Sequence, residues 1–204
     1  MLEARGISFR YGPRDPLIVR DLDLAIGPGE VVGLSGPSGR GKSTIGRLLA
    51  RHLRPTAGMV TVDGASPPAR GFNPVQMLSQ SPVFAVNPRW TVGRIVDEAW
   101  TPDADTAQAL GVRPAWLARY PHELSGGEMQ RITLLRALAP DTRYLVADEI
   151  TSMLDPLAQA EIWQALLVVA AQRTIGILAI SHDAHLLARV ANRVVAVCTV
   201  LRRG

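Results

Sequence analysis

Short apolar runs and longer stretches with helical spacing alternate along most of the chain. Apolar and polar residues alternate over residues 2–9 and 20–26, and a Gly/Pro-rich loop at 11–16 separates them, so an antiparallel pair of strands is expected. The run at 31–35 is apolar throughout, as in a strand that is buried on both faces. Further strands are predicted over residues 59–62, 75–79, 144–147, 174–180 and 193–200, and helices over residues 43–52, 126–139, 155–171 and 183–190.

The segment from residue 91 to about 140 has a different pattern, because strand-type runs disappear and helical stretches replace them. Pro102, Pro114 and Pro121 separate these stretches. Beyond them strands and helices alternate again, which is the order of a parallel sheet covered by helices. The sequence therefore predicts a single α/β domain over residues 1–204, with a mostly parallel core sheet, a small N-terminal antiparallel β-subdomain and a helical subdomain inserted at about 91–140.

The composition fits a folded domain, since 47% of the 204 residues are hydrophobic and 20% are charged. Disordered and fibrous classes are thereby excluded. No apolar run approaches the roughly 18 residues that cross a bilayer, and residues 1–5 do not begin a secretory signal, so a cytosolic location is expected. The single cysteine, Cys198, is expected in the core. The formal charge of +4 is spread without a basic block, so nucleic acid is not an expected partner.

The strongest motif is a glycine-rich loop between the predicted strand at 31–35 and the helix at 43–52. Its sequence is Gly36-Pro37-Ser38-Gly39-Arg40-Gly41-Lys42-Ser43-Thr44, which satisfies the phosphate-binding pattern G-x-x-x-x-G-K-[ST]. Glycines there let backbone N–H groups surround phosphate oxygens, and the helix N-terminus adds positive potential. Lys42 is the only lysine among 22 basic residues, and we expect it to neutralise the β- and γ-phosphates while the Ser43 hydroxyl binds Mg²⁺.

Two more motifs carry candidate chemistry. Asp148 and Glu149 follow the predicted strand at 144–147, at the sheet edge where ligands bind. Asp148 is expected to hold Mg²⁺, usually through water, and Glu149 to orient and activate the attacking water. In the run Leu124-Ser125-Gly126-Gly127-Glu128, a good N-cap and exposed N–H groups make a second anion-binding helix terminus. One nucleotide does not need two such sites, so the second is expected to serve the nucleotide of a neighbouring subunit.

These motifs, in this order, resemble the nucleotide-binding subunit of an ABC transporter, and the resemblance covers nearly the whole chain. It implies a P-loop NTPase of the ABC ATPase type, with ATP and Mg²⁺ as cofactors. It also implies ATP hydrolysis in a head-to-tail sandwich with a second ATPase subunit, which is either the same chain or a homologous one. Two transmembrane permease subunits and, indirectly, an extracytoplasmic substrate-binding protein are the other implied partners, and the implied location is the cytoplasmic face of the membrane.

The resemblance also assigns residues that their own sequence context would not. Tyr11 matches the aromatic residue that stacks on adenine, and Gln80 matches the glutamine that senses Mg²⁺ and the γ-phosphate. Residues 152–155, ending in Asp155, match the D-loop that crosses the dimer interface. His182 matches the switch histidine.

The stretch 80–92, which contains Asn87-Pro88-Arg89, resembles the peptide and nickel importer branch of that family, and residues 85–88 favour nickel or metallophore uptake. Two features depart from the pattern: Ile150 stands where proline is common, and the chain ends at Gly204 without the C-terminal extension of many peptide-importer subunits. One alternative is a soluble non-transport ABC ATPase acting on nucleic acid or the ribosome. Another is a subunit that binds nucleotide without hydrolysing it, which the presence of Glu149 disfavours.

Overall fold

The computed structural model describes residues 1–68 and 70–197, which form eight strands in two sheets. The strands are β1 (Leu2–Phe9), β2 (Val19–Ile26), β3 (Val31–Ser35), β4 (Ala57–Val62), β5 (Val75–Leu78), β6 (Tyr144–Asp148), β7 (Gly176–Ile180) and β8 (Arg193–Ala196). A small antiparallel sheet has the order β2-β1-β4. A fully parallel sheet has the order β5-β6-β7-β3-β8. The predicted α/β class, with a parallel core and an antiparallel N-terminal sheet, is confirmed.

Six α-helices accompany the sheets within the described residues. They are α1 (Lys42–Leu49), α2 (Val92–Asp97), α3 (Ala104–Ala109), α4 (Gly126–Ala137), α5 (Pro156–Gln172) and α6 (Ala184–Val190). Four of them begin where a side chain accepts a hydrogen bond from a backbone N–H group of the first turn, which explains these start points. The capping residues are Asp103, Ser125, Asp155 and Asp183.

The central strands are apolar because both faces of the parallel sheet are covered. Every residue of β6 and β7 is buried, and alternate side chains enter two different hydrophobic clusters. Leu145 and Ile177 pack in the cluster that includes α4 and α5, whereas Val146 and Leu178 pack in the cluster that includes α1 and the antiparallel sheet. The sheet thus separates two cores, and its carboxyl edge lies between them.

The segment between β5 and β6 contains helices and turns but no strand in its described part, as its pattern predicts. Short 3-10 turns at Pro114–Trp116 and Pro121–Glu123 join α3 to α4, and a 3-10 turn at Pro82–Ala85 precedes α2. Trp100 connects the region after α2 to α4, since its indole Nε1 donates to the Leu135 carbonyl oxygen at 2.9 Å. This contact fixes the C-terminal end of α4 against the region that follows α2.

Some element ends differ from the expectation. The strand predicted from residue 174 begins at Gly176, because Thr174 has a φ of +55°, which is outside the extended region of a regular strand. The strand predicted over 193–200 includes β8, while its end and Cys198 lie outside the described residues. No helix in residues 1–68 and 70–197 is long and apolar enough to cross a bilayer.

Candidate functional site

The glycine-rich loop connects the buried strand β3 to α1 and places Lys42 inside the fold. Lys42 is only 6% exposed, and its ammonium Nζ donates to the carbonyl oxygens of Gly36 at 2.7 Å and Pro37 at 3.1 Å. An ammonium group has three protons, so one N–H remains for a ligand. Gly41, the N-cap of α1, has a φ of +83°, and a Cβ there would lie 2.9 Å from Cγ2 of Ile18. A glycine is therefore required for this loop to turn into the helix.

Asp148 lies at the end of β6, where one side of its carboxylate faces Ser43. Burial raises the pKa of Asp148, and a hydrogen bond from Ser43 and the cations Arg47 and Lys42 offset this rise only in part. Its Oδ1 is buried and has no hydrogen-bond partner in the described part of the chain. A carboxylate oxygen without a partner, next to a hydroxyl, is the kind of oxygen pair that Mg²⁺ binds. The residues present therefore fit a magnesium ion.

Glu149 adopts a left-handed backbone, with a φ of +51°, directly after the strand. Its N–H donates to the Ile180 carbonyl oxygen at 3.0 Å, so the turn stays attached to β7. Its Oε1 lies 3.0 Å from Nδ1 of His182. Because an ionised carboxylate only accepts hydrogen bonds, Nδ1 carries the proton in this contact. Two residues that are 33 positions apart thus form one pair at the carboxyl edge of the sheet.

Gln80 follows β5 and contacts the segment after Glu149. Its amide Nε2 donates to Oγ of Ser152 at 3.1 Å, and that hydroxyl donates to the Glu149 carbonyl oxygen at 3.0 Å. Tyr11 comes from the loop after β1, where its ring meets the edge of Phe9 at 5.0 Å between centroids. The Tyr11 hydroxyl lies 3.4 Å from Oγ1 of Thr44. These contacts bring both side chains to the phosphate loop and the acidic pair.

A cavity of about 590 Å³ joins most of these groups. Its lining residues are Tyr11, Ile18, Ser38, Gly39, Gly41, Lys42, Ser43, Thr44, Gln80, Asp148 and Glu149. Ile18 is the member that sequence reasoning missed, and only its apolar character after a turn could have indicated it. Among the predicted residues, Gly36, Pro37 and Arg40 do not line the cavity, and His182 is connected to it through Glu149.

Residues 125–128 lie apart from this cavity. Ser125 and Glu128 form a capping box: the Glu128 N–H donates to Oγ of Ser125 at 3.3 Å, and the Ser125 N–H donates to the Glu128 carboxylate at 2.8 Å. That backbone hydrogen bond lowers the pKa of Glu128. A Cβ added at Gly127 would meet nothing within 4 Å, so the helix terminus is open. Ser125, Gly127 and Glu128 line a separate cavity of about 350 Å³ with Arg113 and Arg131.

Asp155 is also outside the cavity of about 590 Å³. Its carboxylate accepts hydrogen bonds from the N–H groups of Leu157 and Ala158, both at 3.0 Å, and so begins α5. Met153 and Leu157, on either side of it, are 73% and 71% exposed. The residues on either side of Asp155, before α5 and in its first turn, therefore present apolar side chains to the surface.

The motifs, the fold and the cavity define a nucleotide-binding domain of the P-loop type. The ABC transporter family model matches residues 19–152, and the chain belongs to this family. Two solved structures share its fold at 20–22% identity. One is a dimeric ATP-binding cassette in a post-hydrolysis state with ADP and Pi, with a TM-score of 0.81 and complete coverage of both chains. The other is cbiO1 from Clostridium perfringens, with a TM-score of 0.81 and coverage of 96% of this chain and 83% of that chain.

Curated relatives share more sequence. The putative oligopeptide transport ATP-binding protein YkfD of Bacillus subtilis is 37% identical over 95% of this chain, and this chain spans 66% of its length. A putative peptide import ATP-binding protein of Brucella ovis is 33% identical over 96% of this chain, which spans 68% of that protein. The glutathione import ATP-binding protein GsiA of Salmonella paratyphi A is 33% identical over 95% of this chain, which spans 36% of it.

Proposed function

We propose that the chain binds ATP with Mg²⁺ in the 590 Å³ cavity and hydrolyses its terminal phosphate. One observation carries this proposal: three separate segments bring an ammonium, a hydroxyl, an amide and two carboxylates to the same cavity. These groups belong to Lys42, Ser43, Gln80, Asp148 and Glu149. A phosphate loop alone supports binding, whereas the added carboxylates supply the groups that hydrolysis requires.

In this proposal the phosphate loop holds the triphosphate through backbone N–H groups and the remaining proton of Lys42. Ser43, Asp148 and Gln80 would hold Mg²⁺, which neutralises charge that develops on the phosphate oxygens. Glu149 orients the attacking water and accepts its proton. His182 donates to Oε1 of Glu149, so the other carboxylate oxygen is left to meet the water. Tyr11 stacks on the adenine.

We also propose that two ATPase subunits share each nucleotide. The open helix terminus at 125–128 lies outside the cavity that holds Lys42, so it is available to the γ-phosphate bound by a partner subunit. Asp155 and the exposed segment before α5 lie at the interface in this arrangement. The chain then acts as a single nucleotide-binding domain over 1–204, and its helical segment at about 91–140 presents the second site.

The transport role rests on the relatives, whose names are those of oligopeptide, peptide and glutathione import ATP-binding proteins. We propose that this chain likewise powers an importer of peptides, nickel or a metal chelate. Two permease subunits would bind it at the cytoplasmic face of the membrane, and an extracytoplasmic binding protein would deliver the substrate. ATP closes the pair of ATPase subunits, and hydrolysis removes the charge-assisted bonds that hold them together, so the permease domains move.

The replacement Lys42→Ala tests the site. Loss of the ammonium leaves the β- and γ-phosphates without their counter-charge, so ATP affinity measured by calorimetry and phosphate release should both fall at least tenfold. Arg54→Ala, at an exposed position outside the cavity, removes one positive charge as a matched control and should retain both. Unchanged binding and turnover in Lys42→Ala, or no ATP binding by the wild-type chain, would contradict the proposal.

A further inference from the structure

Ser152 lies at the centre of a hydrogen-bond chain that joins three parts of the site. Its Oγ accepts from Nε2 of Gln80 at 3.1 Å and donates to the Glu149 carbonyl oxygen at 3.0 Å. Its backbone N–H donates to the same carbonyl oxygen at 3.1 Å. Gln80 is 72 positions away in sequence, so the contact exists only in the folded chain.

The Ser152 hydroxyl can donate only one hydrogen bond, and this determines which end of the Gln80 amide it binds. A serine hydroxyl has one proton, and here that proton is directed to Glu149. Its oxygen can therefore only accept from Gln80, and this requires the NH₂ end of the amide. The other end, Oε1, is then turned away from Ser152, on a side chain that lines the cavity with Ser43 and Asp148.

An amide oxygen can bind Mg²⁺, whereas an NH₂ group cannot. We propose that Ser152 is a positioning residue for the nucleotide site: its hydroxyl fixes the Gln80 amide so that Oε1 faces the metal position. Gln80 touches the metal in this arrangement, and Ser152 acts through Gln80. The inference rests on the proposed function, which places Mg²⁺ and ATP in this cavity.

The same hydroxyl also supports the backbone of Glu149. That residue has a φ of +51°, which residues with side chains rarely adopt. Two hydrogen bonds from Ser152 to its carbonyl oxygen close the turn that holds this conformation. This turn determines the direction in which the Glu149 carboxylate points, and its Oε1 lies 3.0 Å from Nδ1 of His182. Ser152 thus connects the orientation of the amide to the position of the carboxylate.

The test measures how much Mg²⁺ strengthens the binding of a non-hydrolysable ATP analogue, as the ratio of dissociation constants in EDTA and in Mg²⁺. Ser152→Ala should lower this ratio about fivefold, which is the size of one ordinary hydrogen bond. Ser152→Thr keeps the hydroxyl at an exposed position and should stay within about twofold of the wild type. Gln80→Ala should lower the ratio at least as much, and adding Ser152→Ala to it should change little.

The control is Ser66→Ala, an exposed serine in the loop after β4, which should leave the ratio and the melting temperature unchanged. An unchanged ratio in Ser152→Ala would overturn the role of Ser152 and leave the nucleotide site standing. An equal loss in the Gln80→Ala background would also overturn it, because Ser152 would then act without Gln80. Mg²⁺-independent binding by the wild-type chain would instead contradict the proposed magnesium site itself.

Discussion

Thr151 anchors the segment after Glu149 to α5, and its replacement tests how firmly that segment is held. The side chain is 2% exposed, and its Oγ1 accepts two hydrogen bonds from α5. Nε2 of Gln159 lies at 2.9 Å and the indole Nε1 of Trp163 at 3.1 Å. Trp163 is itself only 3% exposed, so water does not replace this partner.

The change Thr151→Val keeps the shape of the side chain and removes the acceptor. The Gln159 amide is half-buried and can turn to water, but the buried indole N–H of Trp163 is left without a partner. An unsatisfied buried donor costs about 1–3 kcal/mol, so the free energy of unfolding should fall by about 2 kcal/mol. Thr151→Ser keeps the hydroxyl and loses one methyl group, which should cost about 1 kcal/mol or less.

Urea denaturation of both variants measures these differences at an unchanged denaturant slope. Trp163→Phe removes the donor and leaves a smaller ring. In the double variant no buried N–H remains unsatisfied, so its loss should be at least about 1 kcal/mol smaller than the sum of the two single losses. Strict additivity would refute this reasoning, and so would a Thr151→Val protein within about 0.5 kcal/mol of the wild type.

Three other replacements probe the phosphate loop, the adenine site and the edge of the parallel sheet. Tyr11→Ala should weaken ATP binding about tenfold through lost stacking; affinity for inorganic triphosphate, measured in parallel, should not change, and an equal loss for both would contradict the adenine contact. Gly41→Ala should lower the free energy of unfolding by about 1–2 kcal/mol, because φ is +83° and Ile18 is close; thermal unfolding that matches the wild type would refute this. The N–H of Gly27 and the guanidinium of Arg193 overcome the effect of burial and lower the pKa of Glu30. Its stabilisation is therefore present above about pH 4.5 and is lost as pH falls through the lower folded value, so Glu30→Gln should cost less than about 1 kcal/mol near pH 7 and nothing in acid. If the loss of unfolding free energy in Glu30→Gln grew as the pH fell, this direction of the pKa shift would be contradicted.

Local sequence patterns were sufficient to predict most of the fold, because apolar runs and turn-forming residues determine strands, helices and turns within a few neighbouring positions. The run at 31–35 and the glycines after it predicted β3 to the residue and the start of α1 to within one residue, whereas α1 ends at Leu49, three residues before the predicted end. Thr174 shows the limit, since its left-handed backbone shortens β7 and nothing in its residue type indicates that conformation. The 3-10 turn at Pro82–Ala85 likewise has no periodic signal.

The candidate site was less predictable, because its contacts join distant segments. Lys42 and Glu149 stand in motifs whose spacing has a physical meaning, whereas Gln80 and His182 could be selected only by resemblance to a family. No spacing rule indicates that Ser152 forms a hydrogen bond with Gln80, or that the Ile18 side chain packs next to Gly41. Such pairs depend on how β5, β6 and the loops beside them are placed in the sheet, and the structure supplies this information.

The central claim is that ATP closes a pair of such subunits and that hydrolysis, which requires Glu149, then opens it. One measurement tests this claim directly. Size-exclusion chromatography of Glu149→Gln, with and without Mg²⁺ and ATP, measures whether a closed dimer accumulates when hydrolysis is slow. The account predicts a shift from monomer to dimer only with ATP, and reversal when ATP is removed; Lys42→Ala in the same background should abolish the shift. A Glu149→Gln chain that binds ATP and remains monomeric would contradict the sandwich of two copies.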